Sequence, residues 1–285
     1  MTSSKRVRRF SVLSAMGTVT AAVALGVATI GPANAEKDSR SAASGPKPTV
    51  VLVHGAFADG SSWNGVIGRL KRDGYPVVAP ANPLRGLSSD AAYLKDLLNS
   101  VKGPIVLAGH SYGGSVISAA AAGDKDVKAL VYIAAFLPET GESASGLSGK
   151  FPGSTLGPTL HEVTTALADG TEVTDLSITQ DKFHQQFAAD VPAATAGAMA
   201  AGQRPITSAA LDEKLSGEPA WKTVPSWTMI TTQDLNIPVK AQRFMADRAG
   251  SHKVEIKASH AVTVSQPGAV TRLIEQAAHA TGSGR

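Results

Sequence analysis

Gly109-His110-Ser111-Tyr112-Gly113-Gly114 has the spacing of a serine presented for nucleophilic attack. The apolar run Ile105–Ala108 ahead of it reads as a strand, and the small residues from Ser111 to about Gly123 read as a helix. A strand that turns into a helix so abruptly strains the backbone at the serine and crowds its neighbours. Glycine at Gly109, Gly113 and Gly114 relieves that crowding. Ser111 then sits at a helix N-terminus, where the local dipole favours a developing negative charge.

A serine hydroxyl is a weak nucleophile at neutral pH and needs a base. Ser259-His260-Ala261 follows the strand-like stretch 252–257 and supplies one. The imidazole in turn needs a carboxylate to fix its tautomer and stabilise its cation. Asp234 follows the strand-like stretch 224–231, so the chain order is Ser111, Asp234, His260, the order expected for this kind of turn. Glu139 and Glu142, after an earlier strand, are the alternative acids. The oxyanion of an acyl-transfer intermediate needs two N–H donors. Ala56, in His54-Gly55-Ala56-Phe57, and Tyr112, next after the serine, supply them. Phe57 reads as a pocket wall and His54 as a structural histidine bonded to its own loop. His110 reads as a spacer within the turn.

These residues need a common frame. Thr49–Val53 is a β-branched run, the pattern of a strand buried on both faces. Residues 61–73 place Trp63, Val66, Ile67 and Leu70 on one helical face, with Ser61 and Ser62 as caps. Residues 75–79 form a second strand. Ser88 and Ser89 open a helix with Tyr93, Leu94, Leu97 and Leu98 on one side. Residues 127–136 form a fourth strand, and helical patterns near 238–249 and 266–280 follow the last two strands. Such alternation predicts a mostly parallel sheet of about six strands with helices on both faces. Residues 138–222 break the rhythm and read as a cap insertion, with helical pieces near Phe183–Phe187 and Ala193–Ala201. The core is then 49–137 and 223–285. Phe151, Phe183, Phe187 and Met199 are expected to give the pocket its apolar character.

The motifs around His54, Ser111, Asp234 and His260 resemble the alpha/beta-hydrolase superfamily over roughly residues 49–279. Within it the chain is similar to the compact branch of plant methyl-ester esterases, hydroxynitrile lyases and bacterial esterases. The resemblance implies an alpha/beta-hydrolase fold with a cap and a cofactor-free serine enzyme. Its triad would be Ser111, His260 and Asp234. Lyases of that branch carry Thr where Gly55 stands and Lys where Ala261 stands, and both are missing here. The expected substrate is a small-molecule carboxylic ester. Perhydrolase or haloperoxidase-like chemistry, amide or lactone hydrolysis, and an inactive binding fold are the alternatives.

The first 35 residues read as an address. Lys5, Arg6, Arg8 and Arg9 precede an apolar stretch from Val12 to Ile30, and Ala33-Asn34-Ala35 is a cleavage box. A cleaved signal peptide over 1–35, a flexible tether over 36–48 and secretion are therefore expected. The formal charge of +4 lies in that stretch, since removing its 4 cations from the 27 Lys+Arg leaves 23 against 23 Asp+Glu. The mature chain gives no electrostatic reason to bind nucleic acid, and no stable membrane association is expected once the signal peptide is cleaved. With no Cys and no His pair at metal spacing, no metal site is expected.

Overall fold

The computed structural model describes residues 47–282. The expected signal peptide and nearly all of the expected tether lie outside the described residues. At the end of the tether, Lys47 places its ammonium 4.2 Å from the centre of the Tyr75 ring.

The central sheet is built from β1 (Thr49–Val53), β2 (Val77–Val78), β3 (Ile105–His110) and β4 (Val127–Ile133), completed by two strands after the insertion. Helices α1 (Asn64–Arg72), α2 (Leu87–Ser100) and α3 (Tyr112–Ala120) connect the first four. The insertion holds α4 (Ala144–Gly149), the hairpin β5 (Leu160–Ala166) and β6 (Glu172–Ile178), then α5 (Gln180–Phe187) and α6 (Ala193–Gly202), and last β7 (Ile206–Thr207) and α7 (Ser208–Asp212). The chain returns to the sheet with β8 (Ser226–Thr231), α8 (Val239–Arg248) and β9 (His252–Ile256), and ends in α9 (Val262–Ser265) and α10 (Pro267–Gly282).

The six strands run in the order β2-β1-β3-β4-β8-β9, and every neighbouring pair is parallel. The continuous apolar sequences of β1, β3 and β8 follow from cover on both faces, while the edge strand β9, His252-Lys253-Val254-Glu255-Ile256, is charged and largely exposed. Val51, Val53, Leu107 and Tyr132 face one core with Leu94 and Leu98 of α2, Val116 of α3 and Met245 of α8. Val50, Leu52, Val106 and Val131 face the other core with Val66 and Leu70 of α1 and Ile274 of α10.

Three local expectations are corrected. Ser61 and Ser62 do not cap α1. They lie in a short 3-10 turn, and Asp59 is its cap, with Oδ1 accepting from the Ser61 amide at 2.8 Å. Tyr93 is exposed, because the buried face of α2 runs through Leu87, Ala91, Leu94 and Leu98. The insertion is not only helical. β5, β6 and β7 form a three-stranded antiparallel sheet. That sheet is tied to the loop before α2 by the Arg85–Asp175 ion pair at 2.7 Å and by Thr207, whose amide donates to the Leu84 carbonyl at 3.1 Å.

Candidate active site

Ser111 stands where β3 becomes α3, with φ 55° and ψ −125°. A non-glycine residue in this region costs on the order of 1–3 kcal/mol, so its surroundings must hold it there. They do so through its carbonyl, which accepts from Gly114 at 2.9 Å and from Phe136 at 3.2 Å. The glycines around it answer a close approach. A Cβ on Gly113 would lie 2.5 Å from the Val53 carbonyl oxygen of the neighbouring strand.

His260 Nδ1 and Asp234 Oδ2 are 2.8 Å apart, and both side chains are buried. Asp234 is held by more than the histidine. Its Oδ1 accepts from the amides of Asn236 and Ile237 at 2.8 and 2.9 Å. Its Oδ2 also accepts from the Thr231 hydroxyl at 2.9 Å and Gln242 Nε2 at 3.0 Å. Burial alone would favour a neutral acid. The adjacent His260, as charge and as hydrogen-bond donor, and the two amides outweigh it and hold the carboxyl below the usual range. Sequence reasoning missed Gln242, and no local signal marked it.

Sequence reasoning also undervalued His110. Its Nε2 lies 2.8 Å from the backbone carbonyl oxygen of His260, so the nucleophile turn touches the histidine loop directly. The two rings are 4.8 Å apart. Phe187 of α5 supplies the other support. Its ring stands edge-on to His260 at 4.9 Å, and its carbonyl accepts from the Ala261 amide at 2.9 Å. The insertion thus grips the loop that carries the histidine.

Tyr112 is fully buried, and its hydroxyl donates to Asp90 Oδ2 of α2 at 3.0 Å. Burial, followed by the Asp90 charge and that hydrogen bond, raises the phenol well above its usual range. The ring is therefore an anchor in the core. The Tyr112 N–H belongs to the first turn of α3, where no intrahelical acceptor exists. The Ala56 N–H has no backbone acceptor among the described residues. Both amides belong to residues lining the cavity that contains Ser111. His54 is structural. Its Nδ1 donates to its neighbour's carbonyl, that of Gly55, at 2.9 Å, while Nε2 accepts from the Asn82 amide at 2.9 Å.

The cavity over Ser111 measures about 360 Å³. Phe57 lines it, with Phe136, Leu156, Leu160, Leu176, Leu211 and Ile237. Of the four aromatic or Met residues expected to shape it from the insertion, none does. Phe183 and Phe187 are buried against each other, with ring centres 4.9 Å apart, and Phe151 packs on Phe244. Met199 lines a different groove. Leucines of the insertion take their place. The alternative acids are engaged elsewhere, Glu139 with Lys222 and Glu142 with Arg248, each at 2.8 Å. No cluster of three or more potential metal ligands occurs among the described residues.

The alpha/beta hydrolase family model matches residues 50–273. The chain is 26% identical over 253 residues to the alpha/beta hydrolase nvfD of Aspergillus novofumigatus, covering 81% of this chain and 97% of that protein. A carbendazim hydrolyzing esterase of Nocardioides is 33% identical over 115 residues, 35% of this chain and 47% of its own length. Polyneuridine aldehyde esterase superposes with a TM-score of 0.70 at 20% identity, over 81% of this chain and 98% of its own. A methylesterase from Arabidopsis does so with a TM-score of 0.68 at 16% identity, over 81% and 99%.

Proposed function

The chain belongs to the alpha/beta hydrolase family, and on that premise we propose that it hydrolyses small carboxylic esters through Ser111, His260 and Asp234. The observation that carries this reading is the buried His260–Asp234 pair at 2.8 Å, at the same sheet edge as a serine held at φ 55°.

Each residue has one task. His260 takes the Ser111 proton through Nε2 as the oxygen attacks the ester carbonyl. Asp234 holds Nδ1–H, which fixes the tautomer and stabilises the cation that forms. The amides of Ala56 and Tyr112 receive the oxyanion. The ester C–O bond breaks, His260 returns the proton to the departing alcohol, and an acyl-Ser111 remains. Water, deprotonated by His260, then releases the acid and frees the serine. The apolar lining of the cavity suits an uncharged group beside the scissile bond.

Two positions favour hydrolysis over carbon–carbon cleavage. A Cβ on Gly55 would lie 2.7 Å from both the His110 carbonyl oxygen and the Ser111 Cβ, so a threonine here has no room. Ala261 is buried and puts no ammonium beside His260. The names of the relatives, esterases of carbendazim and of polyneuridine aldehyde, support small-molecule esters as the substrate class. The basic, apolar and cleavage-box segments of residues 1–35 support export, with the mature chain beginning at Glu36. N-terminal sequencing of protein from the culture medium tests that. Colour release from p-nitrophenyl butyrate tests the reaction. Turnover by the wild type that vanishes in Ser111→Ala supports it, whereas turnover that persists refutes it. An inactive binding fold predicts no turnover in either.

A further inference from the structure

A second hollow of about 390 Å³ lies between the 3-10 turn Gly60–Trp63 and helix α6. Phe57 is the one residue common to its lining and to that of the Ser111 cavity. The two spaces differ in chemistry. The Ser111 cavity is walled mainly by leucines, Phe136 and Ile237, with several serines, Asn236 and Asp212 between them, while the second sets Asp59, Ser61, Asn64 and Thr195 beside Ala58, Met199 and Val264.

Phe57 is built as a partition. Its φ is 59°, a costly conformation for an aromatic residue. Its amide donates to the Arg204 carbonyl of the insertion at 3.1 Å, and its ring meets Phe187 edge-on at 6.4 Å. Phe187 in turn stands against His260. The order Phe57, Phe187, His260 decides which half of an ester faces the partition. The leaving alcohol must be next to His260 to receive its proton. The acyl group therefore keeps to the apolar chamber, and the alcohol points towards Phe57 and the polar hollow behind it.

We propose that this hollow is a leaving-group subsite for a neutral, hydroxyl-bearing alcohol, with Phe57 as the shutter that sets how large that alcohol can be. The proposal rests on the ester-hydrolase reading above. The hydroxyls of Ser61 and Thr195 and the Asn64 amide line the hollow and can bond a polyol, whereas the Gln203 amide is held by Ile178 and Ala200, and the Asp59 carboxylate disfavours an anion.

The test compares butyrates that differ only in the alcohol: methyl, propyl, glycerol and sorbitol. In the wild type, kcat/KM for glycerol monobutyrate should exceed that for propyl butyrate about tenfold, the worth of one or two net hydrogen bonds. Ala198→Trp, at an exposed position on α6, fills the hollow and should bring that ratio close to one. Phe57→Ala should raise the sorbitol-to-methyl ratio about tenfold, a larger change than in the ratio between methyl butyrate and methyl hexanoate. A wild-type ratio of one, a ratio unmoved by Ala198→Trp, or a Phe57→Ala effect on acyl length instead of the alcohol each overturn the subsite. Ser111-dependent turnover of methyl butyrate in those cases leaves the esterase reading standing. If no ester is turned over, both readings fall together.

Discussion

His110 Nε2 lies 2.8 Å from the carbonyl oxygen of His260. A carbonyl only accepts, so Nε2 carries the proton and Nδ1 bears a bare lone pair. Nδ1 is buried and accepts no hydrogen bond among the described residues. The nucleophile's neighbour thus ties the nucleophile turn to the backbone of the proposed base.

Loss of this tie should act on rate more than on binding. His110→Ala is expected to lower kcat about 10²-fold, the cost of roughly 1 Å of misplacement, with KM changed less than threefold. His110→Gln, whose amide N–H can reach the same carbonyl, should recover part of the loss. Steady-state kinetics of both variants on p-nitrophenyl butyrate read the split. Equal damage from Gln and Ala would show that this hydrogen bond does not carry the effect.

Ser111→Ala and His260→Ala should each remove nearly all turnover, and the double variant should be little worse than either. The reason is that the hydroxyl is inert without its base and the base has no proton to take without the hydroxyl. Losses that multiply would mean two independent contributions and would contradict the shared mechanism.

The parallel sheet was legible in the sequence because strands covered on both faces are continuous runs such as Thr49–Val53. The turn at Ser111 was legible because its glycines answer contacts with adjacent backbone, which few other residues can satisfy. The insertion's hairpin was also written in the chain. Asp169-Gly170, with Gly170 at φ 85°, joins two threonine- and valine-bearing strands, a turn signal that the surrounding polarity disguised. Other features lacked any local mark. Gln242 reaches Asp234 from a helix whose sequence shows only an amphipathic face. Leu160, Leu176 and Leu211 reach the cavity from three elements, and Asp90 meets Tyr112 across 22 residues. Such meetings depend on tertiary docking, which periodicity does not encode.

Stability should fall on mild acidification. Burial, with the neighbouring His260 adding to it, pushes His110 from 6.5 down to about 3. Burial lowers His54 as well. Between these values the unfolded chain binds protons that the native chain refuses, so stability is lost as pH drops from about 6.5 towards 3. The slope approaches about 1.4 kcal/mol per pH unit for each fully engaged histidine. Asp234 behaves differently. Its lowered native pKa contributes stability above its ordinary 3.8, and that is lost only as pH falls further. Urea unfolding at pH 7, 5.5 and 4.5 should show a falling free energy, and His110→Gln should flatten the decline by about one proton equivalent. A flat wild-type profile over this window would contradict neutral buried histidines.

The last prediction concerns the acid. Asp234 accepts from five donors: the Asn236 and Ile237 amides on Oδ1, and Thr231, Gln242 and His260 on Oδ2. In Asp234→Asn, either orientation of the amide turns its NH₂ towards groups that also donate. If the NH₂ faces His260, the imidazole must flip its proton to Nε2 and loses its capacity to take one from Ser111. If the NH₂ faces the two backbone amides, the strain falls on the 234–237 turn. Turnover should fall by up to about 10⁴-fold through the wrong tautomer. Glu139→Gln should be nearly silent, because Glu139 pairs with Lys222 at 2.8 Å and a partly exposed ion pair contributes little. The measurement is kcat for both variants on one activated ester, with circular dichroism to confirm folding. A silent Asp234→Asn beside an inactive Glu139→Gln would move the acid to the loop after β4 while leaving Ser111 and His260 in their roles.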